Sequence, residues 1–202
     1  MLIEHDGARP RVHPSAYVAP NAVLCGDVEV GADCRILFGA VLTAEDGPIR
    51  LGERCIVMEN AVLRGRARHP VVLGDRVLVG PHAHVNGAEV GDEAFIATGA
   101  SLFPGSRVGA GAELRINAVL HVNSVLPDGA EVPISWVAVG DPAQMFPPKA
   151  HDEIWAVQRT LDFAGTVTGL APEALAEGAM SALTQTYAEL YGRHRDDRAI
   201  GD

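Results

Sequence analysis

From Val12 onward an aliphatic residue recurs every six positions, at Val18, Leu24, Val30, Ile36 and Leu42. The count slips and resumes at Leu51, Val57 and Leu63, then slips again to Leu73, Val79 and Val85. After a short step it runs through Val90, Ile96, Leu102, Val108, Leu114, Leu120, Leu126 and Val132. Four residues after most anchors stands a small side chain: Ala16, Ala22, Cys34, Ala40, Cys55, Ala61, Ala83, Ala94, Ala100, Ser106, Ala112, Ala118, Ser124 and Ala130. Val28 and Val77 are the bulkiest members of this second column. A large and then a small residue in each step describes short strands bent round a narrow triangular prism. Three steps make a coil, so that residues about eighteen apart stack on one another. No helical stretch separates the strands, as a βαβ unit requires, and the period is not the two of an antiparallel sandwich.

The slips place inserted loops at Ala44 to Arg50 and Gly65 to Val72, and the step from Val85 to Val90 is one residue short. Loops on a rigid scaffold are where function concentrates. The six-residue register ends near Pro133, and the segment from Ile134 to Ala143 is expected to leave the prism. Two helical patterns follow. Asp152 is placed to cap the first, with Ile154, Val157 and Leu161 on its apolar side, and Gly165 and Gly169 mark a break. Pro172 suits a first helical turn, and Leu175, Met180, Leu183, Tyr187 and Leu190 recur at helical spacing. This divides the chain into a β-helix over residues 1–148 and a helical extension over 149–202. The apolar stripe of the extension is read as packing surface on the prism or on a second subunit.

Composition narrows the function classes. A formal charge of -10 without Lys/Arg runs argues against nucleic acid as a partner, whose phosphates require clustered cations. No stretch has the length of a membrane span and the first residues lack a signal-peptide pattern, so a cytoplasmic protein without membrane contact is expected. Cys25, Cys34 and Cys55 show no metal-type spacing and read as small core residues in a reducing compartment. Aromatic residues make up only 5%, which leaves the core to branched and small side chains.

Pro-Ile-Arg-Leu-Gly (48–52), Gly-Asp-Arg-Val-Leu-Val-Gly (74–80), Gly-Asp-Glu-Ala-Phe-Ile-Ala-Thr-Gly-Ala (91–100) and Val-Ala-Val-Gly-Asp-Pro-Ala (137–143) stand in order along the chain. With these segments it resembles the γ-carbonic anhydrase family, within the hexapeptide-repeat superfamily that also holds acyltransferases. The resemblance implies an all-β core, a left-handed parallel β-helix of hexapeptide repeats with C-terminal α-helices. It also implies a homotrimer with sites between subunits. In the acyltransferases the exit motif contacts coenzyme A, which makes Gly140, Pro142 and Ala143 the candidate cofactor-binding residues for a coenzyme A thioester.

At the catalytic positions the sequence departs from that family. The arginine and aspartate of the first active-site coil are Thr43 and Glu45, and the glutamine and aspartate of the next are Met58 and Glu59. The three zinc histidines fall on Arg64, Pro81 and Asn86. Neither Pro nor Arg can ligate zinc. A guanidinium about 5 Å from a dication would be repelled by roughly 6 kcal/mol at an effective dielectric near 20. Ordinary carbonic anhydrase activity is therefore expected to be absent.

Two histidines, His82 and His84, flank the inward Ala83 next to the altered positions, and His69 lies in the second inserted loop. Three readings stay open. One is a relocated zinc site using His82 and His84 with His69 or Glu59. Another is general-base catalysis of acyl transfer by an imidazole at a subunit contact. The third is hydrogen bonding at that contact with no chemistry. Arg64 could pair with a carboxylate or phosphate, or be neutralised by Glu59 or Glu45. Arg66 and Arg68 make the loop basic in an acidic chain, which hints at an anionic small-molecule ligand. His121 stacks on the column of Arg64, Asn86 and Phe103 and is expected to be exposed. The candidate set for catalysis is His82, His84, Glu59, Arg64 and Asn86.

Overall fold

The computed structural model describes residues 1–169 and 179–200. The chain winds as a left-handed parallel β-helix whose three faces are sheets of ten, seven and seven strands. Every repeat anchor except Val12 and Val18 is buried, and the small column fills the corners between them. Each fully buried Leu, Ile or Val contributes about 1.5–3 kcal/mol. Burying one branched and one small side chain per face is what fixes the narrow cross-section.

Stacked residues are eighteen apart where the repeat is regular, as for Leu24 and Leu42. The offset widens across the insertions, to twenty-one for Val30 over Leu51 and twenty-two for Leu63 over Val85. It narrows to seventeen for Val85 over Leu102, where the sequence is one residue short.

The first face matters for function. It contains the parallel strands Leu2–Glu4, Val23–Cys25, Val41–Ala44, Val62–Gly65, His84–Asn86, Ser101–Leu102, Val119–Leu120 and Val137–Val139. Two of these correct the sequence frame. The prism begins at Leu2, which stacks on Leu24. A tight hairpin closed by His5 and Ala8 hides this first coil from a six-residue count. At the other end, Val137–Val139 still pairs in parallel with Val119–Leu120, so the segment after Pro133 stays in the prism. Ala138, fully buried, occupies the anchor position there, and a small residue does not register in an aliphatic count.

After Val139 the strand Gln144–Phe146 turns back antiparallel. Helix α1 (His151–Gln158) follows without a side-chain cap, Ala150 standing at the N-cap position, Asp152 inside its first turn and Leu161 beyond its end. Where the two glycines predict only a break, there is a short helix, α2 (Phe163–Thr168). Asp162 caps it by accepting from Gly165 N, and Gly169 ends it in the left-handed region at φ 71°. Helix α3 (Ala179–Gly192) and a 3-10 turn (Arg193–Asp196) lead to a last strand, Arg198–Ile200. That strand pairs antiparallel with Leu2–Glu4, so the C-terminal segment closes the edge of the first face. Pro172 and Leu175 lie outside the described residues. No helix among the described residues is long and apolar enough to cross a membrane.

Candidate functional site

On the first face, side chains that point away from the core form one outward column. Cys25, Thr43, Arg64 and Asn86 are in direct register on successive coils. Phe103 and His121 continue it, their rings stacked 5.8 Å apart. The C-terminal segment of the same chain covers this column. Tyr191 of α3 accepts a hydrogen bond from Arg64 Nη1 at 3.2 Å, and the guanidinium carbon lies 5.7 Å from the ring centre. Phe163 of α2 tilts over His121 at 5.3 Å. His121 is consequently buried, not exposed, and burial holds its pKa below the ordinary value.

Under this cover Arg64 Nε, Asn86 Oδ1 and His121 Nδ1 are buried without hydrogen-bond partners. Neither predicted neutraliser of Arg64 reaches it by a salt bridge. Glu45 is buried and turned to His194 Nε2, at 3.1 Å. Pro81 stands apart at the corner that precedes the strand His84–Asn86, where its carbonyl accepts from Gly99 N at 3.0 Å. At the positions that the resemblance assigns to the family's zinc, the donor set does not fit the metal. A guanidinium and a proline supply no ligand, and Asn86 Oδ1 is the one candidate donor left among the three.

His82 and His84 occupy different environments. His82 is exposed at a corner in the left-handed region, φ 57°, the same corner position that Asn60 and Gly99 take on the coils next to it. His tolerates that conformation better than most residues. Glu59 stands on the coil below, its carbonyl accepting from His82 N at 3.0 Å. His84 is half-buried on the first face between Val62 and Ser101. Burial first, and then the charge of Arg64, depress its pKa, so the ring is neutral at pH 7.

His69 belongs to a tight hairpin, Arg66 and His69 exchanging backbone hydrogen bonds at 2.9 and 3.0 Å. Asp46 of the first insertion accepts from Ala67 N at 3.0 Å, which locks the two loops together. The hairpin lies flush on the prism: a Cβ on Gly87 would sit 2.8 Å from His69 Cβ. Two cavities open beside it, and Arg68 and His69 line both. One, of about 300 Å³, lies against α2 and α3. The other, of about 220 Å³, adds Arg107, Glu89, Ser106 and Asn123. Among the described residues His69, His82 and His84 do not converge into a three-ligand group within one chain.

The exit motif closes the last coil. Gly140 N donates to Ser124 Oγ at 2.9 Å, Ala143 N donates to the Val125 carbonyl at 2.8 Å, and Val157 of α1 packs over Gly140. Pro142 lies in the turn between them.

A second cluster, which sequence reasoning missed, sits at the N-terminal end of the same column. His5, Cys25, His194 and Asp197 bring one ligand-type atom each within 4.8 Å of one another. Asp197 accepts from His5 Nδ1 at 2.6 Å and from His194 Nδ1 at 2.8 Å, and Cys25 Sγ lies 3.6 Å from its second oxygen. The rings of His5 and His194 stack at 4.3 Å. Cys34 and Cys55 are core residues as expected, but Cys25 points out of the prism into this cluster. Burial, and then Asp197, push its thiol up to about 12. The only local signal in the sequence was the pair His194 and Asp197, one helical turn apart.

A family model described as the hexapeptide repeat of succinyl-transferase matches residues 70–104. The mitochondrial γ-carbonic anhydrase 1 of Arabidopsis thaliana is 30% identical over 183 residues, 84% of this chain and 61% of that protein. Its γ-carbonic anhydrase 3 is 39% identical over 99 residues, 46% of this chain and 38% of the relative. A carbonic anhydrase of Geobacillus kaustophilus is 27% identical over 111 residues, 55% of this chain and 61% of the relative. The chain thus spans between 38% and 61% of the length of these relatives. Among solved structures, a hexapeptide transferase family protein from Anaplasma phagocytophilum is similar at 26% identity and a TM-score of 0.45, over 79% of this chain and 91% of that one. With the repeat, the sheet topology and these relatives together, the chain is a γ-carbonic anhydrase-like protein of the hexapeptide-repeat superfamily.

Proposed function

We propose that the chain acts as a cytoplasmic homotrimer that binds a small anionic or acyl substrate at an altered inter-subunit site, without zinc-dependent hydration of CO2. The observation that carries this reading is Arg64, which stands where the family holds a zinc histidine and is paired with Tyr191 of its own chain. A cation in place of a metal ligand keeps the position attractive to anions while removing the activated hydroxide on which hydratase chemistry depends. The hairpin supports it, because Arg68, His69 and Arg107 line one cavity in a chain whose overall charge is negative. Glu59, His82 and Asn86 then serve as polar contacts at the subunit boundary.

The test measures CO2 hydration by stopped flow and ligand binding by calorimetry, using acetate, inorganic phosphate and acetyl-coenzyme A as probes. Background hydration, with at least one probe bound and weakened tenfold or more in Arg68→Ala, is the expected result. Turnover approaching the ~10⁶ s⁻¹ of a zinc hydratase would refute it.

Acyl transfer is the second reading, and His84 favours it. A half-buried imidazole kept neutral is suited to take a proton from a hydroxyl or amine. Saturable acetyl-coenzyme A binding together with transfer that disappears in His84→Ala would select this reading over simple anion binding.

A further inference from the structure

We propose that His5, Cys25, His194 and Asp197 form a structural zinc-type site that fastens the C-terminal segment to the first coil of the prism. Two imidazoles, a thiol and a carboxylate are the donors that zinc and similar late first-row cations take, four in number and closed to substrate. Their ligand atoms lie within 4.8 Å of one another. Around a tetrahedral ion with bonds of about 2.0–2.3 Å, ligand atoms stand roughly 3.3–3.7 Å apart. Cys25 Sγ and Asp197 already meet this at 3.6 Å. The contact of His5 Nδ1 with Asp197 must open from 2.6 Å to about 3.3 Å.

The hydrogen-bond pattern around His5 points the same way. While Asp197 accepts from His5 Nδ1, the other nitrogen, Nε2, has no hydrogen-bond partner, although the side chain is only 1% exposed. If Nδ1 coordinates a cation, that proton moves to Nε2, which lies 3.8 Å from Asp6 Oδ2. The orphaned nitrogen thereby gains a carboxylate to point at. His194 is already arranged in this way, with Glu45 Oε2 3.1 Å from its Nε2. A carboxylate hydrogen-bonded behind a ligating histidine is the outer shell that metal sites use to fix the ring and its tautomer; Glu45 fills that place behind His194, while Asp6, paired with Arg193, stands just out of reach behind His5. Coordination also needs the thiolate and an unprotonated His194 Nδ1, so the Cys25 proton and the proton that His194 Nδ1 gives to Asp197 both leave to solvent as the cation binds.

Position says what the site is for. Cys25 and His5 belong to the first turns of the prism, whereas His194 lies in the 3-10 turn between α3 and the strand that pairs with Leu2–Glu4, and Asp197 ends that turn. An ion there ties both ends of the chain together. It also sets the end of α3, from which Tyr191 reaches Arg64.

The inference is tested on the full chain, stripped with a chelator and then titrated with cobalt(II) and with zinc(II). One equivalent per chain is expected, with tetrahedral d–d bands and a thiolate-to-cobalt charge-transfer band. Cys25→Ala should abolish the charge-transfer band. Asp197→Asn and His194→Gln, on less buried side chains, should weaken binding by more than the roughly 10–100-fold that losing an outer-shell partner costs. His84→Ala should leave the cobalt stoichiometry and spectrum unchanged. Absence of stoichiometric binding by the wild-type chain would overturn the site. So would a cobalt spectrum that survives in Asp197→Asn but is lost in His84→Ala. Neither result depends on whether anions bind at the hairpin.

Discussion

The middle and the N-terminal end of one outward column answer the same structural question in opposite ways. Both are covered by the C-terminal segment, and both hold buried polar atoms without partners. In the middle, where the resemblance would place the family's zinc, Arg64 and Asn86 offer a cation and an amide, and the cover is a phenol. At the end, Cys25 faces two histidines and a carboxylate, with Glu45 and Asp6 behind them. What decides is whether donors and compensating negative charge converge at a given level of the column.

The largest effect should separate the inward from the outward side of the middle strand. Leu63→Ala, in the core, should cost about 2–5 kcal/mol by chemical denaturation. Arg64→Met, one residue on, should be neutral or stabilising by up to about 2 kcal/mol, because it removes a buried unpaired donor. A large loss in Arg64→Met would mean that the Tyr191 contact holds the cover in place.

At the N-terminal end a graded effect is expected. Glu45→Gln should lower zinc affinity roughly 10–100-fold, as loss of an outer-shell carboxylate does. Asp6→Asn should lower it less, since Asp6 is 3.8 Å from His5 Nε2 and partly exposed. Equal affinities in both variants and the wild type would place the ion elsewhere. If zinc reaches one hundred times its dissociation constant, the stripped chain should gain about 2.7 kcal/mol on its addition.

The smallest effect is in pH. Burial lowers the pKa of both His121 and His84, so each is neutral in the fold and binds a proton more readily when unfolded. Stability should be full above the ordinary histidine value of 6.5 and fall as pH drops below it. His121→Phe should flatten that slope, measured as the unfolding midpoint between pH 7 and 5. An unchanged slope would show that His121 gains its proton within the fold.

The repeat made most of the prism legible, because each anchor reports its own burial within six residues. It failed where local chemistry broke the count, at the hairpin after Glu4 and at Ala138. The assignment of the family's zinc positions to Arg64, Pro81 and Asn86 rests on the resemblance and the repeat frame, and the frame does put Arg64 and Asn86 in register on successive coils. The environment of His82 was not readable, as a corner residue is chosen for its backbone. The second cluster was invisible for a different reason. His5 and Cys25 are brought to one edge by coil stacking, but His194 and Asp197 arrive only through the return of the last strand across the first face. No local pattern encodes that return.

The most direct test of where this column holds metal is an anomalous difference map at the zinc edge, from crystals of the full chain grown with zinc. A single peak per chain between Cys25 Sγ and the Asp197 carboxylate is the predicted result. A peak beside Asn86 and His84, with the end of the column empty, would contradict it.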